Sequence, residues 1–104
     1  MEVKIFWSDA ALAQLEDIYD FYKIKASPSV ARKLVKSLIQ KSIVLEFEPM
    51  VGMKEPLLSE KSNEYRYLIE KNYKIIYRID VNQIKIVSVF DCRRNPLNIN
   101  QIID

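Results

Sequence analysis

The residues of this sequence best equipped for chemistry are cations. Arg66, Lys74 and Arg78 punctuate the apolar stretches of the second half, and Arg93 and Arg94 stand side by side ahead of Asn95-Pro96. Guanidinium and ammonium groups hold anions and stabilise charge that develops in a transition state. Proton transfer is a different requirement: the chain has no histidine, so a general base has to be a Lys, Tyr, Asp or Glu. Arginine does not serve, because it stays protonated at every physiological pH. Cys92 lies beside Arg93 and Arg94, and neighbouring cations lower a thiol's pKa. Without a histidine partner a cysteine hydrolase is not expected, and the thiol reads as a bystander. The one cysteine cannot close an intrachain disulfide, and one cysteine with no histidine builds no zinc site. Neither metal nor cofactor is expected.

The positive charge is unevenly spread. From residue 61 onward the chain carries eight basic residues (Lys61, Arg66, Lys71, Lys74, Arg78, Lys85, Arg93, Arg94) against five acidic ones (Glu64, Glu70, Asp80, Asp91, Asp104). The overall net charge is only +2, so the excess in the second half points to an anionic target without defining one. A length of 104 residues with 49% hydrophobic and 29% charged residues predicts one soluble domain over 1–104, able to bury roughly two thirds of its unfolded surface without crosslinks. The opening MEVKIFW lacks the pattern of a signal peptide, and no run of about 18 apolar residues is present to span a bilayer. A cytoplasmic protein with no membrane contact is expected.

The elements that must position these cations follow from periodicity. Residues 3–7 (VKIFW) read as a strand that ends at Ser8, a good helix N-cap. Leu12, Leu15, Ile18, Tyr19 and Tyr22 then recur at helical spacing. Ser27-Pro28 starts a second helix, whose stripe of Ala31, Leu34, Val35, Leu38, Ser42 and Leu45 runs to about Phe47 before Pro49 stops it. The two form an antiparallel hairpin over about 9–47. Residues 49–62 contain two prolines and the only glycine and predict a long loop. Alternation takes over after it: three strands over about 63–91, turning at Asn72 and at Val81-Asn82, make an antiparallel meander. A tail over 92–104 follows. The expected fold is α+β, in the order β-α-α-β-β-β, with the helical hairpin on one face of an antiparallel sheet and the other face partly open.

Three stretches carry a family resemblance: FWSDAALAQLEDIYDFY at the start, YRYLIEKNYKIIYRID in the strand pair and VSVFDCRRNP at the end. Together, in this order and spacing, they resemble the RelE/ParE superfamily of bacterial type II toxins, in its ParE-like (plasmid stabilisation) branch. The resemblance implies a protein that arrests growth unless bound by a cognate antitoxin, with DNA contact only through the toxin–antitoxin complex. ParE-type members inhibit DNA gyrase; RelE-type members cut mRNA on the ribosome. For the nuclease alternative, the resemblance assigns catalytic positions to Arg66, Lys74 and Arg93 or Arg94. Two groups found in RelE-type members have no counterpart: no tyrosine stands in the tail, and position 68 is Leu68. One acid–base group contributes typically about 10²–10⁴-fold to rate, so this favours the gyrase-directed reading over the nuclease. A third alternative is a family member that binds its antitoxin without being toxic. Arg78, Arg93 and Arg94 are then expected to bind the target, and Leu12, Tyr19, Tyr22, Met53 and Leu57 the antitoxin, whose segment should be acidic or amphipathic.

Overall fold

The computed structural model describes residues 3–94. Its elements are β1 (Lys4–Trp7), α1 (Asp9–Lys25), α2 (Pro28–Ser42), β2 (Met53–Lys54), β3 (Tyr65–Glu70), β4 (Tyr73–Asp80) and β5 (Gln83–Asp91). Single 3-10 turns follow α2 (Ile43–Glu46) and β2 (Pro56–Leu58). No described helix is long and apolar enough to cross a membrane.

Ser8 makes the first connection. Its Oγ accepts from the Ala11 N–H at 3.0 Å, capping α1, and donates to the Val87 carbonyl of β5 at 3.3 Å. The buried stripe of α1 is Ala11, Leu15 and Ile18, with Tyr22 half-buried. Leu12 and Tyr19 therefore stand at its margin instead of its centre. Ser27 caps α2 through the Val30 N–H at 3.1 Å, with Pro28 in the first turn where its missing donor costs nothing. This helix ends at Ser42, earlier than the apolar period suggests, and the stripe continues through the 3-10 turn to buried Leu45.

The sheet order is β1-β5-β4-β3-β2. The meander is antiparallel, as the alternation predicts, while β1 lies parallel to β5, so the complete sheet is mixed. A parallel neighbour needs a long crossover, and here the helical hairpin carries the chain across one face from edge strand β1 to edge strand β2. Lys71 (φ 55°) and Asn82 (φ 61°) supply the left-handed residues of the two tight turns. In the first turn that place falls to Lys71 and not to Asn72.

Helices and sheet enclose a core that includes Leu15, Leu38, Leu45, Ile75, Tyr77 and Ile86. A second, smaller cluster of Leu58, Tyr65, Ile76, Val87 and Phe90 covers part of the opposite face, under the turn at 56–58. The loop joining the two sides bends around the β3 edge and is held by the buried Tyr77 phenol. Its hydroxyl donates to the Pro49 carbonyl at 2.8 Å and accepts from the Gly52 N–H at 2.9 Å. A Cβ on Gly52 would lie 2.5 Å from that hydroxyl and 2.8 Å from the Tyr67 carbonyl oxygen. Backbone cannot yield there, so Gly52→Ala is expected to destabilise by on the order of 3 kcal/mol, seen as a lower urea midpoint at unchanged m-value.

Candidate functional site

Strand parity decides which cations meet. Along β4, Lys74, Ile76 and Arg78 point to the open face, while Tyr73, Ile75 and Tyr77 point to the helices. Arg66 pairs with Tyr77, and Tyr65 with Arg78. Arg66 and Lys74 therefore project from opposite faces of the sheet. The Arg66 side chain is only 12% exposed, and its Nη1 donates to the carbonyls of Met50 (3.3 Å) and Gly52 (2.8 Å) while Nε meets Glu64 at 2.9 Å. Its guanidinium is engaged in holding the loop.

On the open face, the Lys74 ammonium lies 2.7 Å from Glu55 Oε1 and 4.4 Å from the centre of the Tyr67 ring. The Glu55 side chain is fully buried, and its Oε2 has no hydrogen-bond partner among the described residues. An ion pair of this kind is costly to break from one side, because the remaining charge stays buried. Partial burial raises the Cys92 thiol above its ordinary value, outweighing the nearby Lys74 ammonium. The arginines next to Cys92 in sequence therefore do not make it a thiolate. Arg78 is held by the Tyr65 hydroxyl and lies 3.3 Å from Asp80.

Beyond β5, Arg93 turns back on Asp91, with Nη2 2.7 Å and Nε 3.0 Å from its carboxylate. These hydrogen bonds hold the Asp91 carboxyl down at about 2, against an ordinary 3.8. Asp91 also accepts from Asn72 at 3.2 Å. The two side chains border a cleft of about 230 Å³ between α1 and the sheet, together with Asp17, Phe21, Tyr22 and Tyr73. Burial, with a hydrogen bond to Tyr22, pushes the Tyr73 phenol up to about 12. Arg94 borders the same cleft and lies 5.7 Å over the Phe90 ring. Of the four cations assigned to nuclease chemistry, the structure brings Arg93 and Arg94 together at this cleft and leaves Arg66 and Lys74 on separate faces. Positions 97–100, where a tail tyrosine is missing, lie outside the described residues.

The residues expected to meet an antitoxin fall into two regions. Leu12 (half exposed) and Tyr19 lie on α1, and Tyr22 packs edge-on against Phe21 at 5.1 Å. Met53 and Leu57 are exposed at the β2 edge. Sequence periodicity did not single out Phe21, Ile24 (80% exposed) and Val30, which leave apolar surface at the turn of the hairpin. The available signal was that Phe21 and Ile24 fall off the Leu15–Ile18–Tyr22 stripe. Glu55 carried no signal, since the loop around it has no period.

The geometry defines a small α+β domain, a helical hairpin packed on one face of a five-stranded mixed sheet. The family model for the ParE toxin of the type II toxin-antitoxin system parDE matches residues 5–96, and the chain belongs to that family. A solved structure described as the chromosomal ParDE toxin-antitoxin system from P. aeruginosa shares the fold, with a TM-score of 0.73 at 24% identity, covering 86% of this chain and 96% of that one. No curated protein matches the chain.

Two predictions follow from the charges. Lys74→Met should destabilise by about 3–5 kcal/mol by stranding the Glu55 carboxylate, and Lys74→Met with Glu55→Leu should recover most of the loss in urea unfolding. Because Asp91 titrates below its ordinary value, its stabilisation is present above about pH 4, the ordinary carboxylate range, and is lost as pH falls towards 2. Arg93→Ala should return the Asp91 carboxyl towards 3.8 in an NMR titration and move acid unfolding to higher pH.

Proposed function

We propose that this protein is a growth-arresting toxin that acts by binding a larger target, DNA gyrase, in the cytoplasm, and that a cognate antitoxin neutralises it. The observation that carries the reading is the ParE match over residues 5–96. The gyrase target rests on the family branch that the sequence resembles. The geometry supports binding over catalysis: Arg66 is committed to loop carbonyls and Glu64, and Lys74 to a buried carboxylate on the other face. A nuclease using both would have to break those contacts first.

The antitoxin is expected to lay an amphipathic helix against the hairpin, with Phe21, Ile24 and Val30 joining Leu12, Tyr19 and Tyr22 as its apolar footing. Met53 and Leu57 stand at the far edge of the sheet, so a segment reaching them has to continue beyond that helix. Arg94, with Arg93 beside it, is the exposed cationic feature expected to meet the target; Arg78 is more enclosed, with its side chain 24% exposed.

Inducing the protein alone and following DNA supercoiling and bulk translation over the first minutes tests the target. Loss of supercoiling while translation continues is the expected result. Early translation arrest with mRNA cut in the ribosomal A site would replace this reading with the nuclease one, and normal growth at confirmed soluble levels would leave an antitoxin-binding protein without toxicity. Arg93→Ala with Arg94→Ala should weaken growth arrest while antitoxin binding persists; an unchanged growth defect would remove both residues from the target site.

A further inference from the structure

A row of positive charge crosses the open face at the end away from Glu55. Arg78 on β4 lies directly opposite Lys85 on β5, and Lys85 in turn is paired with Phe6 on the edge strand β1. Lys4, two residues before Phe6, shares its face. Like charges directly opposite one another on neighbouring strands are unfavourable. Among the described residues, neither Lys4 nor Lys85 has an acidic partner. Phe6 is 48% exposed in the middle of this group. Asp80, 3.3 Å from Arg78, offsets one member of the pair, while Lys85 and Lys4 stay without a described carboxylate beside an open aromatic ring.

We infer that Lys4, Lys85 and Arg78, with Phe6 between them, form a docking surface for an acidic, extended peptide segment of a partner protein. The spacing supports this occupant. Neighbouring strands lie roughly 4.8 Å apart, and same-face residues of one strand roughly 6.7 Å. An extended peptide laid along β1 repeats its same-side residues at roughly that second distance, so a carboxylate over Lys4 sets its next same-side residue, an apolar one, over Phe6, and the following carboxylate comes within a long side chain's reach of Lys85 on the neighbouring strand. Arginine's planar fork, held in place by the Tyr65 hydroxyl, suits a carboxylate. Nucleic acid fits less well. Three cations, one of them already facing Asp80 at 3.3 Å, are few beside the roughly 6–10 phosphates that a typical nucleic-acid surface neutralises. The surface lies on the sheet face opposite the helical hairpin, away from the hairpin footing proposed above for the antitoxin helix; it shares Arg78 with the residues expected to meet the target, while Lys4, Lys85 and Phe6 belong to neither set.

The test uses fluorescence anisotropy with the whole protein and a labelled twelve-residue peptide repeating Glu-Ser-Leu-Ser, which sets glutamate and leucine by turns on one side of an extended chain, at two salt concentrations. Lys85→Glu is expected to weaken binding at least tenfold. Lys36→Glu, the same charge change on an exposed position of α2, should leave binding within twofold. Lys85→Glu should also raise the thermal midpoint, because it replaces a cross-strand repulsion with an attraction; a residue kept only for the fold would lose stability instead. Equal weakening by the two variants would reduce the effect to net charge and overturn the proposal. So would tighter binding of a single-stranded oligonucleotide than of the peptide, with the same Lys85 dependence.

Discussion

The Tyr77 hydroxyl holds the bend at 49–52 from inside the core, and much of the surface depends on that anchor. Pro49 and Gly52 are tied to one phenol, which turns the loop around the β3 edge and lets it serve both faces. On the helix side, the Met50 and Gly52 carbonyls become the acceptors for Arg66. On the other side, Glu55 is placed under Lys74 and Leu58 over Ile76 and Phe90. Gly52 is needed because the phenol and the Tyr67 carbonyl leave no room for a side chain. A single buried donor–acceptor group thus sets the environment of two cations whose chemical roles are otherwise open.

A second constraint sits at the other end of the sheet. β1 pairs with β5 only as far as Ile86, so the rest of that strand would present bare backbone groups to the helices. They are met by side chains and backbone from the N-terminal segment: the Ser8 N–H donates to the Ile86 carbonyl at 2.9 Å, the Ser8 hydroxyl to Val87, and Gln14 Oε1 accepts from the Val89 N–H at 2.7 Å. These bonds seat α1 against β5 at a defined height. Gln14 and Val89 also line the cleft in which Asp91, Arg93, Tyr22 and Tyr73 meet. The bulge at Val87, where Tyr77 pairs with Ile86 and Ile76 with Ser88, changes the pairing between this cleft and the Arg78–Lys85 row.

The cations thereby acquire different characters from similar sequence settings. Arg66 and Lys74 are held by partners whose loss would cost stability, while Arg94 and Lys85 are not paired with any described carboxylate. Arg93 stands between the two kinds, 62% exposed yet bonded through two nitrogens to Asp91. A surface that keeps free cations and bare aromatic rings beside a rigid sheet is suited to holding another macromolecule. Enzymatic catalysis asks for something further, a proton donor and acceptor gathered around one point, and Arg66 and Lys74 are separated by the thickness of the sheet.

Much of the architecture was legible in the sequence because it depends on local physics. Ser8, Ser27-Pro28 and the two apolar stripes specify the helices, period-two alternation specifies the meander, and three motifs in order specify the family. The end of α2 was less legible, since its stripe continues smoothly into a 3-10 turn that buries Leu45. The parallel placement of β1 and the short strand β2 required the sheet, because a four-residue and a two-residue strand have no pattern of their own. The distribution of the site was least legible. Parity within one strand showed that Lys74 and Arg78 share a face, but the face of Arg66 depends on the register between β3 and β4, which is set by the turn at Lys71-Asn72 and by core packing. The partners Glu55 and Asp91, and the Arg78–Lys85 juxtaposition, likewise join residues far apart in the chain or facing across strands. Composition and spacing determined what these groups are; only the tertiary structure decided which of them are already occupied.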